Sequence, residues 1–293
     1  MNKEKIMNRF KDYIDLTKPT IMLLVIFTGS AALFLEGSMI HRPIHFALCL
    51  FALYLTGGCA NALNQYFERE IDAKMKRTSS KRPLPSGRMS SRSALIFSVS
   101  IGVIGVLIFG FFFNWLTAML SLSTILFYSL FYTLYLKPNT DQNIVIGGIA
   151  GAMAPVGAWT AATGHMDIVP WIMFAIIFFW TPPHFWALAL FCKDDYRLAK
   201  LPMMPVVRGD KSTLKQIIVY SFVLFGVSLS LLAFGAGWFY MVSATLLGVI
   251  LIKKAIYASK HNSEKILKGL FGYSILYLFA LFTAIVIDGF IVS

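Results

Sequence analysis

The stretch SALIFSVSIGVIGVLIFGFFF, residues 93–113, contains no charged side chain. A helix of this length, rising 1.5 Å per residue, extends over about 30 Å, which is the thickness of the hydrocarbon core of a bilayer. Similar apolar runs recur along a chain that is 57% hydrophobic, with mean hydropathy +0.70. A membrane β-barrel would instead alternate apolar and polar residues in segments of about ten. The sequence therefore predicts an all-α, polytopic membrane protein.

We predict nine membrane-spanning helices, or eight if one of two very short turns lies within a helix. The spans are predicted at residues 20–37, 45–67, 93–113, 115–136, 144–163, 169–190, 215–234, 237–252 and 269–290. The second and sixth spans both end beside acidic residues, which indicates an internal repeat. We therefore predict one membrane domain at residues 19–293, composed of two four-helix halves and a ninth helix, after an N-terminal segment at residues 1–18.

The basic residues are distributed unevenly between the two ends of the predicted spans. If the N-terminus is cytoplasmic, all 26 Lys and Arg residues except Arg42 fall on the cytoplasmic side. Because Lys and Arg near span ends are retained in the cytoplasm, we expect a protein of the plasma membrane with a cytoplasmic N-terminus and an external C-terminus. The net charge of +12 then reflects this topology and an attraction to anionic lipid headgroups. A nucleic-acid partner is not needed to explain it.

The second span runs into the polar stretch NALNQYFEREID, residues 61–72. If the helix continues through Asp72, then Asn64, Glu68 and Asp72 are four residues apart and share one face. Clustered carboxylates near a membrane are costly unless a cation lies between them. Oxygen ligands without His or Cys favour Mg²⁺, which bridges carboxylates to phosphates. The alternative is a solvated helix end with local ion pairs.

Basic residues follow this stretch directly, among them Arg77 and Arg82. The guanidinium group offers a planar set of donors that matches phosphate oxygens. A metal beside basic residues predicts a diphosphate site, although the same arrangement would accept other anions. Lys137, at the end of the fourth span, is either an interfacial anchor or a further diphosphate contact, and Asn143 begins the fifth span.

The sixth span ends in TPPHFWALALFCKDDY, residues 181–196. Pro182 and Pro183 each lack a backbone donor and should kink the helix. His184 is an ionisable residue at membrane depth, which makes it a functional candidate. The alternative is a hydrogen-bonded packing residue in an aromatic stripe.

More polar candidates lie at the cytoplasmic end of the sixth span and in the loop beyond it: Lys193, Asp194, Asp195, Tyr196 and Arg208. They share the side of the membrane predicted for the first acidic stretch and can face it across the bundle. The loop, interrupted by prolines, is either a cap over the site or an ordinary connection.

The pattern NxxxExxxDxxMxRTxxxRPL, from Asn64 to Leu84, and the blocks NIVIGGIAGAMAPVGAW and TPPHFWALA resemble the UbiA superfamily of intramembrane prenyltransferases. The resemblance extends from Lys18 over nearly the whole chain. It implies a nine-span helical bundle with a cytoplasm-facing active cavity, where two acidic motifs bind Mg²⁺ and an isoprenoid diphosphate. The TPPHFWALA block resembles members that transfer the farnesyl group of farnesyl diphosphate to a vinyl group of haem B, with addition of water. For such members, a haem-modifying oxygenase or oxidase assembly proteins are the implied partners.

Carried onto this chain, the resemblance implies that Asn64, Glu68 and Asp72 are catalytic and bind metal and diphosphate. The second motif departs from the family pattern, because Ala199 stands where many relatives have a second acid, four residues after Asp195. Asp194 and Asp195 are therefore the predicted metal ligands there, with Asp195 also catalytic. The predicted substrate-binding residues are Arg77, Arg82, Lys137, Asn143, His184, Lys193, Asp194, Tyr196 and Arg208, with His184 assigned to the haem.

Two other functions compete with this interpretation. A prenyltransferase that acts on an aromatic quinone precursor would share residues 64–72 but would not need His184. A transporter would place its polar residues near the bilayer midplane in broken helices. In this chain the polar residues cluster at one end of the predicted spans, which disfavours transport.

Overall fold

A computed structural model describes residues 3–292, and these residues form α-helices joined by short turns, with no strand among them. Residues 1–2 and 293, the outer ends of the two predicted segments, lie outside the described part. The helices are α1 (Lys3–Leu16), α2 (Pro19–Glu36), α3 (Pro43–Phe67), α4 (Ser91–Phe112), α5 (Trp115–Asn139), α6 (Asn143–Thr163), α7 (Ile168–Phe191), α8 (Gly209–Phe234), α9 (Trp238–His261) and α10 (Glu264–Val292). Four shorter helices lie in the connections: Arg69–Asp72, Lys76–Ser79, Lys193–Leu198 and Met204–Val207.

Nine helices of the described chain, α2 to α10, are long and apolar enough to cross a membrane, which confirms the predicted number. The largest differences from the predicted bounds are in the last three. These helices include residues 209–214, 253–261 and 264–268, which are rich in charge and continue the helix beyond the apolar segment.

The bundle is built around α6 and α7, in which 61% of the apolar window is buried, against 22–33% for α2, α4, α5, α8 and α9. α3 packs on α4, α6 packs on α7 and α2, and α10 closes the bundle against α7 and α2. The outer helices expose large apolar side chains such as Phe111 and Leu246. Such side chains suit a lipid environment.

Helix α6 approaches α5 closely at Gly147, since a Cβ there would lie 2.4 Å from the ring of Tyr132 in α5. Gly151, four residues further along α6, faces open space. Tyr132 belongs to a π-helical segment of α5, Phe127–Leu136. The amide of Lys137 ends this segment by donating to the carbonyl of Tyr132, five residues back. Such wide turns are rare and occur often at functional sites.

Helix α7 continues through Pro182 and Pro183 without interruption. Trp180 and Trp186 are buried, so neither acts as an anchor at the membrane surface. The indole Nε1 of Trp180 donates to the carbonyl of Ser274 in α10, 2.6 Å away. The proline-containing turn of α7 is thus fastened to α10.

At the bundle end that holds the turn 235–237, the carboxylate of Asp288 accepts from the amides of Gly237 and Tyr240, at 2.5 and 3.0 Å. These amides begin α9, where helical N–H groups lack internal partners. The phenol of Tyr240 donates to the carbonyl of Ser228, whose hydroxyl bonds the phenol of Tyr277 at 2.8 Å. Buried polar groups therefore join α8, α9 and α10 at this end.

Candidate functional site

The candidate site lies at the opposite end of the bundle, which we call the loop face. It carries the connections at residues 68–90, 140–142, 192–208 and 262–263. Helix α1 lies at the same end, where Gln65 Nε2 donates to the carbonyls of Asp15 and Leu16 at 3.0 and 2.9 Å. Arg88, in the loop after α3, is ion-paired with Asp12 at 2.8 Å.

Asn64, Glu68 and Asp72, together called the acidic stripe, follow one another on successive turns. Helix α3 ends at Phe67, yet Glu68 N donates to Asn64 O at 3.0 Å and Asp72 N donates to Glu68 O at 2.8 Å. These bonds span four residues each, so the helical register is retained and the predicted common face is confirmed. Each of the three residues is only 2% exposed.

Each member of the acidic stripe is bonded to a basic side chain from another part of the chain. Lys18 Nζ lies 2.7 Å from Asn64 Oδ1, Lys137 Nζ lies 2.5 Å from Glu68 Oε1, and Arg82 pairs with Asp72. Arg82 also lies 3.9 Å from Glu68. Buried carboxylates are stable only with such partners.

The buried charges of the site act on one another. Burial alone would raise the pKa of the Glu68 carboxyl. The neighbouring Lys137 and Lys18 cations lower this pKa by more than burial raises it, so the pKa lies below its usual value. Burial, together with the nearby Arg82 cation, holds the pKa of Lys18 well below its usual range. Glu68 is therefore ionised at neutral pH and able to bind a cation.

The donor set of the acidic stripe fits a magnesium ion. An amide oxygen and two carboxylates are hard ligands of the kind that Mg²⁺ takes alongside water and phosphate oxygens. The basic groups bonded to these oxygens show that the positions accept positive charge. Among the described residues, no three His, Cys, Asp or Glu side chains form a metal-binding group by themselves. The amide oxygen of Asn64 would be the third protein ligand beside the two carboxylates.

Asp195 and Tyr196 meet the loop that follows the acidic stripe. The carboxylate of Asp195 accepts from the amide of Arg77 at 3.1 Å, and the Arg77 guanidinium lies 6.0 Å from the centre of the Tyr196 ring. Arg77 Nε is buried and has no partner. The side chain of Asp194 lies outside this cluster, 89% exposed and paired with Arg197 at 3.0 Å. Its role as a metal ligand remains a prediction without support from proximity.

Three other predicted residues lie at the loop face and have no bond to the acidic stripe. Lys193 is paired with Asp210 at 2.6 Å, and Arg208 is paired with Asp141. The first pair joins the connection after α7 to the start of α8, and the second joins that connection to the turn before α6. Asn143 is fully buried at the start of α6, and its Oδ1 has no partner.

His184 is enclosed by aromatic rings in the bundle interior, apart from the acidic stripe. Its ring stacks between Trp180 and Phe271, with centroids 4.3 and 4.4 Å away. Its Nδ1 lies 2.7 Å from Ser274 Oγ, which itself donates to the carbonyl of Phe271 at 2.6 Å. Because the serine proton is used there, His184 Nδ1 is the donor, and the lone pair stays on Nε2.

Two residues of the site escaped the sequence analysis. The sequence marks Lys18 only as one of many cytoplasmic basic residues, yet its Nζ donates to Asn64 of the acidic stripe. Its backbone is left-handed, with φ 54, just before Pro19. The sequence signal is a Lys-Pro pair at the mouth of the first span. The second residue is Thr133, whose hydroxyl accepts from Asn64 Nδ2 at 3.1 Å. No sequence pattern separates it from the other threonines in the apolar spans.

A family model described as the UbiA prenyltransferase family matches residues 23–285. The chain is 49% identical over 285 residues to a protoheme IX farnesyltransferase of Erythrobacter litoralis, covering 95% of this chain and 92% of that protein. It is 46% identical over 287 residues to a protoheme IX farnesyltransferase of Novosphingobium aromaticivorans, covering 95% and 93%.

Solved structures with a similar fold include a digeranylgeranylglyceryl phosphate synthase, with TM-score 0.78, 15% identity and coverage of 96% of this chain and 99% of that chain. A UbiA homologue of Archaeoglobus fulgidus bound to GPP and Mg²⁺ has TM-score 0.61 and 17% identity, with coverage of 94% and 99%. At these identities the likeness demonstrates the shared bundle architecture.

Proposed function

We propose that this chain, which belongs to the UbiA prenyltransferase family, transfers the farnesyl group of farnesyl diphosphate to a vinyl group of haem B. Water adds in the same reaction, and the products are haem O and diphosphate. The observation that carries the diphosphate half of the proposal is the acidic stripe, whose three buried oxygen ligands are each bonded to a basic group. The acceptor is inferred from the name of the relatives that are 49% and 46% identical.

Asn64, Glu68 and Asp72 would hold Mg²⁺ at the diphosphate, and we propose them as the catalytic ligands. When bound, the ion supplies positive charge that stabilises the departing diphosphate. Asp195 is proposed as a further ligand, since its carboxylate bonds the loop that carries Arg77. Asp194 is also proposed as a metal ligand, and its side chain, 89% exposed, would have to leave Arg197 to reach the site.

The basic residues beside the stripe would bind the diphosphate oxygens. Lys137 and Arg82 already touch the two carboxylates, so small rotations would bring their donors to a phosphate. Donors placed where charge develops lower the barrier of the bond-breaking step. Arg77 has a buried Nε without a partner, which is consistent with a ligand contact. Lys193, Tyr196, Arg208 and Asn143 are proposed only as outer contacts or supports.

In the reaction, the bond between farnesyl C1 and the diphosphate oxygen breaks, and C1 bonds to one vinyl carbon. The other vinyl carbon then takes the oxygen of water, with release of one proton. An allylic cation needs ring faces nearby and little bulk water. The rings of Tyr128 and Tyr132, stacked with centroids 5.0 Å apart, lie on the segment that carries Thr133 beside the stripe.

We propose His184 as the haem contact, through axial ligation of the iron or through a propionate. The bond from Nδ1 to Ser274 leaves the lone pair on Nε2, as axial ligation requires. The stacked rings on both sides offer an apolar surface suited to a porphyrin.

We also propose that the protein lies in the plasma membrane with the loop face and the N-terminus in the cytoplasm and the C-terminus outside. Arg42 is the basic residue of the chain that falls at the opposite end. Haem O released by the enzyme would pass to a haem-modifying oxygenase or to oxidase assembly proteins, as the family resemblance implies.

The test is conversion of haem B in membranes that contain the protein. Farnesyl diphosphate and Mg²⁺ are added, and the haems are separated by reversed-phase chromatography and identified by mass. We expect a more hydrophobic haem of the mass of haem O, formed about 100-fold or more slowly with Asp72→Asn. No conversion of haem, together with prenylation of an aromatic acid such as 4-hydroxybenzoate, would overturn the proposal in favour of a quinone-precursor prenyltransferase.

A further inference from the structure

The amide of Asn64 is fixed by two partners that agree on its orientation. Lys18 Nζ donates to the amide oxygen, Asn64 Oδ1, at 2.7 Å. The hydroxyl of Thr133 donates its proton to the carbonyl of Tyr128 at 2.8 Å. Its oxygen is then left to accept from Asn64 Nδ2, at 3.1 Å. With both bonds made, the amide oxygen of Asn64 faces Lys18 and its NH₂ group faces Thr133.

The π-helical segment makes the Thr133 bond possible. In an α-helix, a threonine hydroxyl bonds the carbonyl four residues back, as Thr124 does with Leu120 at 2.8 Å in the α-helical part of α5. Thr133 bonds instead to Tyr128, five residues back, within Phe127–Leu136. The same winding sets the position of Lys137, whose ammonium bonds Glu68. One irregular segment thus supports two members of the acidic stripe.

We infer that Thr133 is a positioning residue that holds the Asn64 amide with its oxygen toward the metal position of the site. This inference rests on the proposed function, in which that position binds Mg²⁺. An amide presents either an oxygen or an NH₂ group to a neighbour, and only the oxygen can bind a metal. Without the Thr133 acceptor, a half-turn of the amide would leave the metal with one ligand fewer. Partners that orient a metal ligand commonly affect metal affinity by about 10- to 100-fold.

The comparison uses three variants with nearly the same shape at the substituted site. Thr133→Val removes the hydroxyl and keeps the branched side chain, and Thr133→Ser keeps the hydroxyl. Thr124→Val removes a comparable hydroxyl bond from the same helix at a position without a bond to the stripe. If Thr133→Val does not fold, Thr133→Ala takes its place. Folding is checked by gel filtration and by the thermal unfolding temperature.

Metal binding is measured without turnover, by titrating the purified protein with Mn²⁺ and following the free ion by electron paramagnetic resonance. We expect the Kd for Mn²⁺ to rise about 10-fold or more in Thr133→Val, and to stay within about threefold of the parent value in Thr133→Ser and Thr124→Val. The Mg²⁺ concentration that gives half-maximal prenyl transfer should shift in parallel.

An unchanged Mn²⁺ affinity in a folded Thr133→Val would overturn the inference, as would a parent protein that binds no Mn²⁺. Equal losses in the Val and Ser variants would also overturn it, because packing and not the hydroxyl would then be responsible. The Mn²⁺ titration does not depend on the acceptor. A parent that binds Mn²⁺ but does not convert haem would therefore refute the proposed function, while the Mn²⁺ affinities of Thr133→Val and Thr133→Ser would still decide the inference.

Discussion

Removal of the Lys137 ammonium should destabilise the ligand-free protein through Glu68. The two side chains are 16% and 3% exposed, and their charged atoms lie 2.5 Å apart. Loss of one partner from a buried ion pair costs about 3–5 kcal/mol, because the remaining charge is uncompensated. Arg82 remains 3.9 Å from Glu68, so we expect a loss near the lower end, about 3 kcal/mol, for Lys137→Met.

The substitution of the other partner, Glu68→Gln, should lower the free energy of unfolding by less than Lys137→Met does. Lys137 is the more exposed partner, and a flexible lysine can turn its ammonium toward water. We expect a loss of about 1–2 kcal/mol from this substitution, comparable to that of a broken hydrogen bond. The double variant should be little worse than Glu68→Gln alone, which corresponds to a coupling energy of about 3 kcal/mol in magnitude, the loss expected for Lys137→Met.

Unfolding of the purified protein in detergent micelles, titrated with dodecyl sulfate and followed by far-UV circular dichroism, gives the four free energies of unfolding. Lys253→Met, which removes an exposed lysine from α9, serves as the control and should have little effect. If the losses from the two single variants simply add in the double variant, the ion pair contributes nothing as a unit, and the reasoning is refuted.

Three further predictions concern pH, metal and haem. Since the folded pKa of Glu68 is lowered, its stabilising effect is complete above its unfolded pKa, about 4.3, and is lost as the pH falls through the folded value. In Lys137→Met the buried carboxylate lacks this partner, and protonation of Glu68 removes the uncompensated charge. The difference in stability between the variant and the parent should therefore shrink as the pH falls, and a difference that does not change with pH would contradict this. Asp72→Asn should lower kcat/KM by about 10²- to 10³-fold, and EDTA should abolish turnover until Mg²⁺ is restored; full activity in EDTA would argue against a metal. His184→Phe keeps the stacked ring but removes both nitrogens, so the haem Soret shift on binding should disappear; an unchanged spectrum would exclude iron ligation by His184.

The positions of the spans were predictable because a helix that crosses the hydrocarbon core must be apolar over about 20 residues, and hydropathy measures this property directly. The prediction was weakest where helices leave the lipid, as at residues 209–214 and 264–268. There the side chains are charged and the helices continue beyond their apolar segments, so hydropathy does not show where they begin. The two four-helix halves remain a prediction.

The acidic stripe was predictable because the spacing of four residues is a local property of a helix. Its partners were not, because they come from distant parts of the chain: Lys18 and Thr133 are 46 and 69 residues away from Asn64. Sequence patterns also could not foresee the π-helical winding that places Thr133. Nor could they separate Asp194 from Asp195, which are adjacent but point to different surroundings.

Asp288 in α10 caps the start of α9 and so links these two helices at the end of the bundle remote from the site. Asp288 is 3% exposed. If it moved away from the amides of Gly237 and Tyr240, its carboxylate would be a buried charge without hydrogen-bond partners, which is energetically costly. Helices α9 and α10 are therefore held together at the end remote from the site. We expect any displacement of these two helices that opens the site to be larger at the loop face than at this end.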